Sequence, residues 1–393
     1  MDDVINVYEP MQPEPVQPAA AAPPRRSRVR FTGTGQEYFR IWIVNLLLTI
    51  VTLGIYSAWA KVRKMQYLYR NTRLDGSVFD YHGDPIAILK GRILAVLLAV
   101  LYKLSLTLLG LFGLIALAGL LLAVPWLLTQ SYRFRLHNSS YRGLRFRFDG
   151  PLSHAYLIIG LPMVVVLGPS VVLALSGDPK HPDPKLAIDL GLLYLAFMLL
   201  WPYLHFCFKR WQHGHALYGT ARASFQARVW EFYAPYLVAG LLLFLALVAG
   251  GVLMGAIGFA SAGHASDARR LGVVVGILFV ILFYSVMLAV APIVTARIQN
   301  AVWDGTRLER LGFASDVRAG RLIGITLTNL VMILVSVGLL IPFAVMRLMK
   351  YKVESIEVLD ADALGRFVSE GKDAGVGSAG EGAVDVMDLD FGL

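Results

Sequence analysis

Two stretches far apart in the chain decide the fold: VNLLLTIVTLGIYSAWAKVRKMQY at 44–67 and TNLVMILVSVGLLIPFAVMRLMKY at 328–351. At a constant offset of 284 and without a gap, Asn45 meets Asn329, and a Gly, an Arg and a Tyr further along also coincide. A chance likeness between apolar runs rarely preserves polar positions in this way. The match therefore indicates an internal repeat, and a repeat governs the architecture of a whole chain.

Two further matches extend the repeat. An offset of 67 sets 59–81 against 126–148, and an offset of 229 sets 71–79 against 300–308. Asn, Asp and Gly recur at these positions because they tolerate the positive φ of a tight turn. The predicted structural turn residues are Asn71, Asp75, Gly76, Asn138, Gly143, Asn300, Asp304 and Gly305. Asp75-Gly76 and Asp304-Gly305 are predicted to be equivalent turns.

The matched segments define one repeated unit. An apolar segment or hairpin leads into a basic helix end, an Asn or Asp-Gly turn and a short strand with an aromatic residue. About five such units predict a membrane domain over 31–355. We expect a disordered Pro/Ala-rich tail at 1–30 and an acidic disordered tail at 356–393.

The composition indicates a polytopic membrane protein. Of 393 residues, 56% are hydrophobic and 16% charged, against about 25% charged in soluble domains. This excludes an ordinary cytosolic enzyme, and a single Cys excludes a disulfide-stapled domain. The long apolar stretches are 39–60, 93–129, 155–175, 186–208, 232–259, 271–296 and 322–346. We predict an all-α membrane fold with six full helices in three hairpins, two short or re-entrant segments, and short cytoplasmic strands or turns between them.

The distribution of charge predicts the topology. Most of the 36 Lys and Arg residues lie in six segments, which are 25–40, 61–92, 133–147, 209–228, 297–321 and 347–352. Such segments face the cytoplasm and its anionic lipids, and we expect no nucleic acid as a partner. The segments 39–60 and 322–346 leave two alternatives. Each crosses the membrane once, or each is a broken helix pair that turns near Gly54 and Gly338. The repeat favours the second, with both tails cytoplasmic.

The stretch at 31–83 resembles the YjgN family of bacterial inner-membrane proteins, a domain of unknown function. Its most specific parts are TLGIYSAWAKVR at 52–63 and NTRLDG at 71–76. The resemblance is strongest over 31–92 and extends over 31–355. It implies a multi-pass location in the bacterial inner membrane. It implies no activity and no catalytic residues.

Polar residues inside the apolar stretches are the candidate site. We predict a midplane polar site from Asn45, Asn329, Lys103 and Asp189. A polar amide beside a helix break is how many transporters bind a solute. The alternatives are hydrogen bonds between helices for the two Asn residues and an interfacial position for the two charged residues.

Catalytic motifs do not stand out. The sequence has no GxxxxGK[ST], HExxH or GxSxG motif, so we predict no enzyme and no cofactor. One His/Cys cluster, HFCFKRWQHGH at 205–215, has the residue types of a metal site. Lys209 and Arg210 lie within it, and interfacial histidines are the favoured interpretation, so we predict no metal site.

Together these features predict a transporter- or channel-like permease for a small solute or lipid. The alternative is a non-transporting membrane scaffold that recruits partners through its charged tails and basic face. A polar cavity between Asn45 and Asn329 would favour the permease, whereas a filled apolar core would favour the scaffold. The sequence does not indicate an oligomeric state.

Overall fold

The computed structural model describes residues 25–108, 111–175, 183–260 and 265–373. Within them, eleven strands form one antiparallel sheet in the order β1-β11-β10-β9-β8-β7-β6-β5-β4-β3-β2. Their bounds are β1 Ser27–Arg28, β2 Arg30–Phe31, β3 Thr72–Leu74, β4 Ser77–Tyr81, β5 Ser139–Tyr141, β6 Leu144–Phe148, β7 Ala216–Tyr218, β8 Ala221–Phe225, β9 Thr306–Leu308, β10 Leu311–Ser315 and β11 Ile356–Leu359.

The two edges of this sheet meet at Val29. β1 pairs with β11, β2 pairs with β3, and Val29 alone separates β1 from β2. The Val29 N–H donates to the carbonyl of Ile356 at 3.0 Å. β1 and β2 therefore act as one bent strand that joins the first hairpin to the last strand, and the sheet closes into a small barrel.

The prediction of an all-α fold is wrong, because the short strands between the helices assemble into this barrel. The first strands of the hairpins have three residues and the second strands have five. One such hairpin is not stable alone and gives little alternating pattern in the sequence. The sheet exists only because several hairpins from distant parts of the chain pair side by side.

Helices leave the barrel in pairs. Their bounds are α1 Gly35–Val51, α2 Ser57–Arg70, α3 Pro85–Leu108, α4 Leu111–His137, α5 Leu152–Ala155, α6 Leu161–Leu175, α7 Pro184–Gly214, α8 Val229–Ala260, α9 Ala265–Gly305, α10 Ala319–Val335, α11 Ile341–Glu354 and α12 Ala363–Asp373. One π-helical turn, Tyr156–Gly160, joins α5 to α6. A helix pair followed by a strand pair occurs five times, and in the fifth unit β1 and β2 supply the second strand.

The prediction of six full helices is also wrong for the described residues. Five helices are long and apolar enough to cross a membrane. They are Leu114–His137, Leu152–Leu173, Pro184–Gly214, Val229–Phe259 and Gly272–Gly305. Helix α3, which carries Lys90, Arg92 and Lys103, is not among them.

Both terminal apolar segments are broken into two short helices. α1 and α2 meet at a turn where Leu53 has φ 51° and Gly54 has φ 93°. α10 and α11 meet at an equivalent turn, where Val337 has φ 50° and Gly338 has φ 88°. Helices of 17 and 14 residues are shorter than the roughly 20 residues that a bilayer crossing needs. Each pair therefore presents an apolar tip, with Leu53 94% and Val337 92% exposed.

The same tyrosine clamp holds the start of both short pairs. The Tyr67 hydroxyl accepts from the Thr34 N–H at 2.9 Å and donates to the Thr34 carbonyl at 3.0 Å. The Tyr351 hydroxyl makes the same two bonds with Arg318, at 2.8 and 3.2 Å. These residues are related by the offset of 284, so the two pairs have equivalent local structure.

Both tail boundaries differ from the sequence prediction. Residues 25–30, expected in the disordered tail 1–30, contribute β1 and the start of β2. Residues 356–373, expected in the acidic tail 356–393, form β11 and α12. The remainder of each tail lies outside the described residues.

Apolar side chains line the inside of the barrel. Leu144 and Leu311 are at most 1% exposed, and they belong to one buried cluster with residues from all five units. Leu364 and Phe367 of α12 join the same cluster. Because α12 follows the end of β11 that lies beside the hairpin turns, it covers the end of the barrel opposite the helix pairs.

β1 and β2 form the bent strand that closes the barrel, and we call it the closing strand. Removing a large side chain from it should destabilise the whole fold. Phe31 of β2 is 2% exposed and packs with Tyr38, Leu68 and Met346. We expect Phe31→Ala to lower the free energy of unfolding by about 3–5 kcal/mol, measured by chemical unfolding in detergent. The control Val78→Ala, at a 42% exposed position on β4, should stay within about 0.5 kcal/mol of the unmodified protein. Equal losses in both variants would contradict a core role for the closing strand.

Candidate functional site: the axial cavities

One helix of each pair ends where a strand begins, and these five helices surround the barrel axis. We call them the axial helices: α2, α4, α7, α9 and α11. Positions three, four, seven and eleven residues before the strand share one helix face. Counting from the strand start therefore identifies equivalent residues in the five units. The strands begin at Thr72, Ser139, Ala216, Thr306 and Ile356.

A cavity of about 430 Å³, called here the lumen cavity, occupies the barrel interior. Three rings of equivalent residues supply most of its lining. The ring on the axial helices, three residues before each strand, is Tyr69, Leu136, His213, Trp303 and Val353. The ring on the first strands is Leu74, Tyr141, Tyr218, Leu308 and Val358. The ring on the second strands is Val29, Phe79, Phe146, Ala223 and Phe313.

The tyrosines in the lumen have satisfied hydroxyls. The Tyr141 hydroxyl donates to the Leu74 carbonyl at 2.8 Å, and the Tyr218 hydroxyl donates to the Tyr141 carbonyl at 2.9 Å. Burial raises the pKa of both tyrosines, so both remain neutral donors. The lumen cavity is therefore lined by apolar surface and by polar groups that already have partners.

A second cavity, of about 810 Å³, lies between α7, α9 and α11, and we call it the axial cavity. The two cavities adjoin, since they share the lining residues Gln212, His213, Trp303, Val353 and Ile356. Lys209 and Lys352 line the axial cavity. Among the described residues that line it there is no Asp or Glu.

The cations of the axial cavity are close to one another. The Lys209 Nζ donates to the Gln212 Oε1 at 2.9 Å, and it interacts electrostatically with Lys352 and with Arg135 of α4. Burial lowers the pKa of Lys352. Burial, and then the charges of Arg92 and Arg135, lower the pKa of Lys61 on α2. The axial helices thus bring partly buried positive charges together, and the described lining of the cavity supplies no carboxylate to balance them.

The histidines beside this cavity are held by single hydrogen bonds between elements. His205 Nδ1 lies 2.9 Å from the Tyr236 hydroxyl, and His213 Nδ1 lies 3.3 Å from the Thr306 hydroxyl. In the part of the chain that the structure describes, no group of three or more His, Cys, Asp or Glu side chains could hold a metal ion.

The four predicted midplane residues do not form one site. Asn45 and Asn329 are buried, with 7% and 8% exposure. Lys103 on α3 and Asp189 on α7 are exposed on the outside of the helices. The axial cavity lies between α7, α9 and α11, and neither Asn45 nor Asn329 lines it.

The two buried amides differ in their partners. Asn329 Nδ2 donates to the Ala344 carbonyl at 3.0 Å, and Asn329 Oδ1 accepts from Arg347 at 3.1 Å. Within the described structure, Asn45 Oδ1 is buried without a hydrogen-bond partner. Its equivalent arginine, Arg63, lies 5.7 Å from the centre of the Tyr56 ring instead.

The predicted turn residues divide into two groups. Asp75 and Gly76 turn between β3 and β4 with φ 46° and 77°, and Gly143 has φ 83° at the equivalent turn between β5 and β6. Asp304 and Gly305, however, are the last residues of α9. Their predicted equivalence to Asp75-Gly76 is therefore wrong, because the offset of 229 misplaces the register by five residues.

The three predicted Asn residues also occupy two kinds of place. Asn71 and Asn138 follow the ends of α2 and α4, and each side chain donates to a carbonyl four residues earlier, at 2.8 and 2.9 Å. Asn300 lies inside α9 and exchanges two hydrogen bonds with the backbone of Val317, at 3.1 and 2.9 Å. Only Asn71 and Asn138 therefore occupy the position directly before a strand.

Sequence reasoning missed the cations of the axial cavity. Lys352 lies four residues before a strand, and Lys209 lies seven residues before one. These positions share a helix face, so counting backwards from each strand would have placed them on the axis. The strand starts were the missing information, since the strands are too short to locate from periodicity.

The repeated helix pairs, the five apolar helices and the central barrel define a polytopic membrane protein with a cavity between its axial helices. A family model described as "Bacterial protein of unknown function (DUF898)" matches residues 26–386. The chain therefore belongs to the DUF898 family.

Relatives of this chain are inner membrane proteins. The inner membrane protein YjgN of Salmonella typhimurium is 27% identical over 356 residues, which cover 85% of this chain and 89% of the relative. YjgN of Escherichia coli strain K12 is 30% identical over 171 residues, which cover 43% of each chain. No solved structure matches the chain. The resemblance to the YjgN family is confirmed, as is an inner membrane protein with several apolar helices.

The unequal partners of the two buried amides predict unequal stability effects. Asn329→Leu removes two hydrogen bonds and leaves the Ala344 carbonyl and the Arg347 guanidinium without them. We expect it to lower the free energy of unfolding by about 1–3 kcal/mol. Asn45→Leu removes an oxygen that has no partner, so its loss should be clearly smaller. Thermal unfolding in detergent measures both, and equal losses would show that the partners do not matter.

Proposed function

We propose that this inner membrane protein is a transporter- or channel-like permease that binds an anionic solute or lipid in the axial cavity. The observation that carries the proposal is the placement of Lys209 and Lys352 in a cavity of about 810 Å³ whose described lining has no carboxylate. Cavities of about 300–1,000 Å³ are typical of small-molecule sites.

Electrostatics favours an anion as the ligand. Buried charges in proteins are normally paired, because removing an ion from water without a partner is costly. Lys209 has Lys352 and Arg135 as electrostatic neighbours, and like charges raise that cost further. A phosphate or carboxylate group in the axial cavity would balance these charges and form charge-assisted hydrogen bonds with them.

The helix arrangement supports access from the bilayer. The axial cavity is bounded on one side by α11, which belongs to a short helix pair. Because α10 and α11 are each shorter than a membrane crossing, the long helices beside them extend further than they do. A lipid or amphiphile could reach the cavity over the tip at Val337. A scaffold would need neither a polar cavity nor such an opening.

Removing the two lysines should abolish anion binding. We expect the double variant Lys209→Met/Lys352→Met to weaken binding of dodecyl phosphate at least tenfold, measured by equilibrium binding to the purified protein in a neutral detergent. The matched control Arg210→Met/Lys350→Met changes exposed cations one and two residues away on the same helices and should stay within twofold. Equal loss in both double variants would reduce the effect to general surface charge and overturn the proposal.

Transport is tested separately from binding. Proteoliposomes of phosphatidylcholine should move dodecyl phosphate from the outer to the inner leaflet faster than protein-free vesicles, and the lysine double variant should not. Binding without any protein-dependent movement would overturn the permease and favour the scaffold.

The pH dependence of binding follows from the lysine charges. An ordinary Lys has a pKa of about 10.4, and burial lowers that of Lys352. The cation is therefore lost at a lower pH than for an ordinary Lys, and anion affinity should fall as pH rises through this lowered pKa. Between about pH 8 and pH 10 the phosphate itself is already fully ionised. Constant affinity across this range would contradict a role for Lys352.

A further inference from the structure

We infer that the barrel lumen binds the single alkyl chain of an anionic amphiphile whose charged group lies in the axial cavity. The inference rests on the proposed function, from which it takes an anionic group beside Lys209 and Lys352. It adds the chemical class of the ligand and a second compartment inside the barrel.

The first argument is the order of the two cavities. They adjoin through the ring of residues that precedes the strands, including His213 and Trp303. The charged side chains lie in the axial cavity, whereas the lumen beyond that ring is lined by aliphatic and aromatic side chains. A small inorganic anion would use only the first compartment. A molecule with a charged end and an apolar end matches both.

The second argument is a missing aromatic ring. At one level of the lumen the second strands carry Phe79, Phe146 and Phe313 in three units, and Ala223 at the same level in a fourth. The cross-strand partner of Ala223 is Leu308. The phenylalanines narrow the lumen at this level in three units. The small side chain of Ala223 leaves the lumen wider on its side of the barrel axis.

The third argument concerns size and length. A lumen cavity of about 430 Å³ is at the small end of ligand sites, which suits one chain better than two. Its far end is covered by α12, whose Leu364 is part of the lining. The lumen therefore limits chain length, and a chain long enough to reach α12 gains nothing from further extension.

The test places a larger side chain in the lumen and compares the binding of alkyl phosphates with long and short alkyl chains. Ala223→Phe introduces the aromatic ring that three of the other four units carry at this level, the remaining unit having Val29, and it leaves Lys209 and Lys352 in place. We expect this variant to weaken dodecyl phosphate binding at least tenfold relative to the unmodified protein, and butyl phosphate binding less than twofold. Each alkyl phosphate partitions into detergent equally in experiments with the variant and with the unmodified protein. The ratio of their dissociation constants at each chain length therefore measures the contribution of the lumen to binding. The control Val78→Phe adds a ring at an exposed strand position and should change neither.

A labelling measurement on the unmodified protein covers the case in which Ala223→Phe does not fold. Dodecyl phosphate with a photoreactive diazirine at the last carbon should label strand residues of the lumen, such as those in 216–225, as read by peptide mass spectrometry. Labelling confined to the outer faces of the helices would overturn the inference.

The two proposals fail differently. If Ala223→Phe binds both alkyl phosphates normally while the lysine double variant binds neither, the axial anion site stands and the lumen site is overturned. If the lysine double variant binds dodecyl phosphate normally, the proposed function is overturned, and this inference with it.

Discussion

The pairing of β1 with β11 is the interaction on which the architecture depends. Four units carry both strands of their hairpin in continuous sequence, but the fifth takes its second strand from the start of the described chain. Arg28 pairs with Glu357 across this junction, and Arg25 pairs with Asp362 at 3.0 Å. Because the strands of the other units pair in a row, the junction decides whether that row is an open ribbon or a closed ring. The enclosed lumen exists only in the ring.

The closed barrel also explains why the axial helices meet at their basic ends. Each strand start fixes the end of the helix before it, so five strand starts on one circle place five helix ends on one circle. Residues on the inward faces of these helix ends then face each other across the axis, whatever their charge. Lys209 and Lys352 are neighbours for this reason, although 143 positions separate them in the chain. An arrangement that would be unfavourable in a simple bundle is imposed by the geometry of the barrel.

Much of the repeat could be predicted from the sequence, because polar residues mark it. The offsets of 67 and 284 agree with the strand starts at Thr72, Ser139 and Ile356, whereas the offset of 229 aligns a helix end with a turn. That error arose because Asp-Gly occurs both at the end of a helix and in a turn between strands. The strands are too short for their sequence pattern to show which of the two applies. The axial cavity could not be predicted, since its lining comes from helix faces whose register is set by those strands. The amino-acid composition alone was enough to predict that the chain is a membrane protein.

The divided fifth unit has a consequence for the order in which the molecule is made. The segment that contributes β1 leaves the ribosome before the first of the five apolar helices, and its partner β11 emerges only after the last of them. Domains generally form as their sequence emerges, but this barrel can close only after all five apolar helices have been synthesised. A chain that stops before β11 keeps unpaired strand edges on β1 and β10, which distinguishes it from a chain whose barrel has closed.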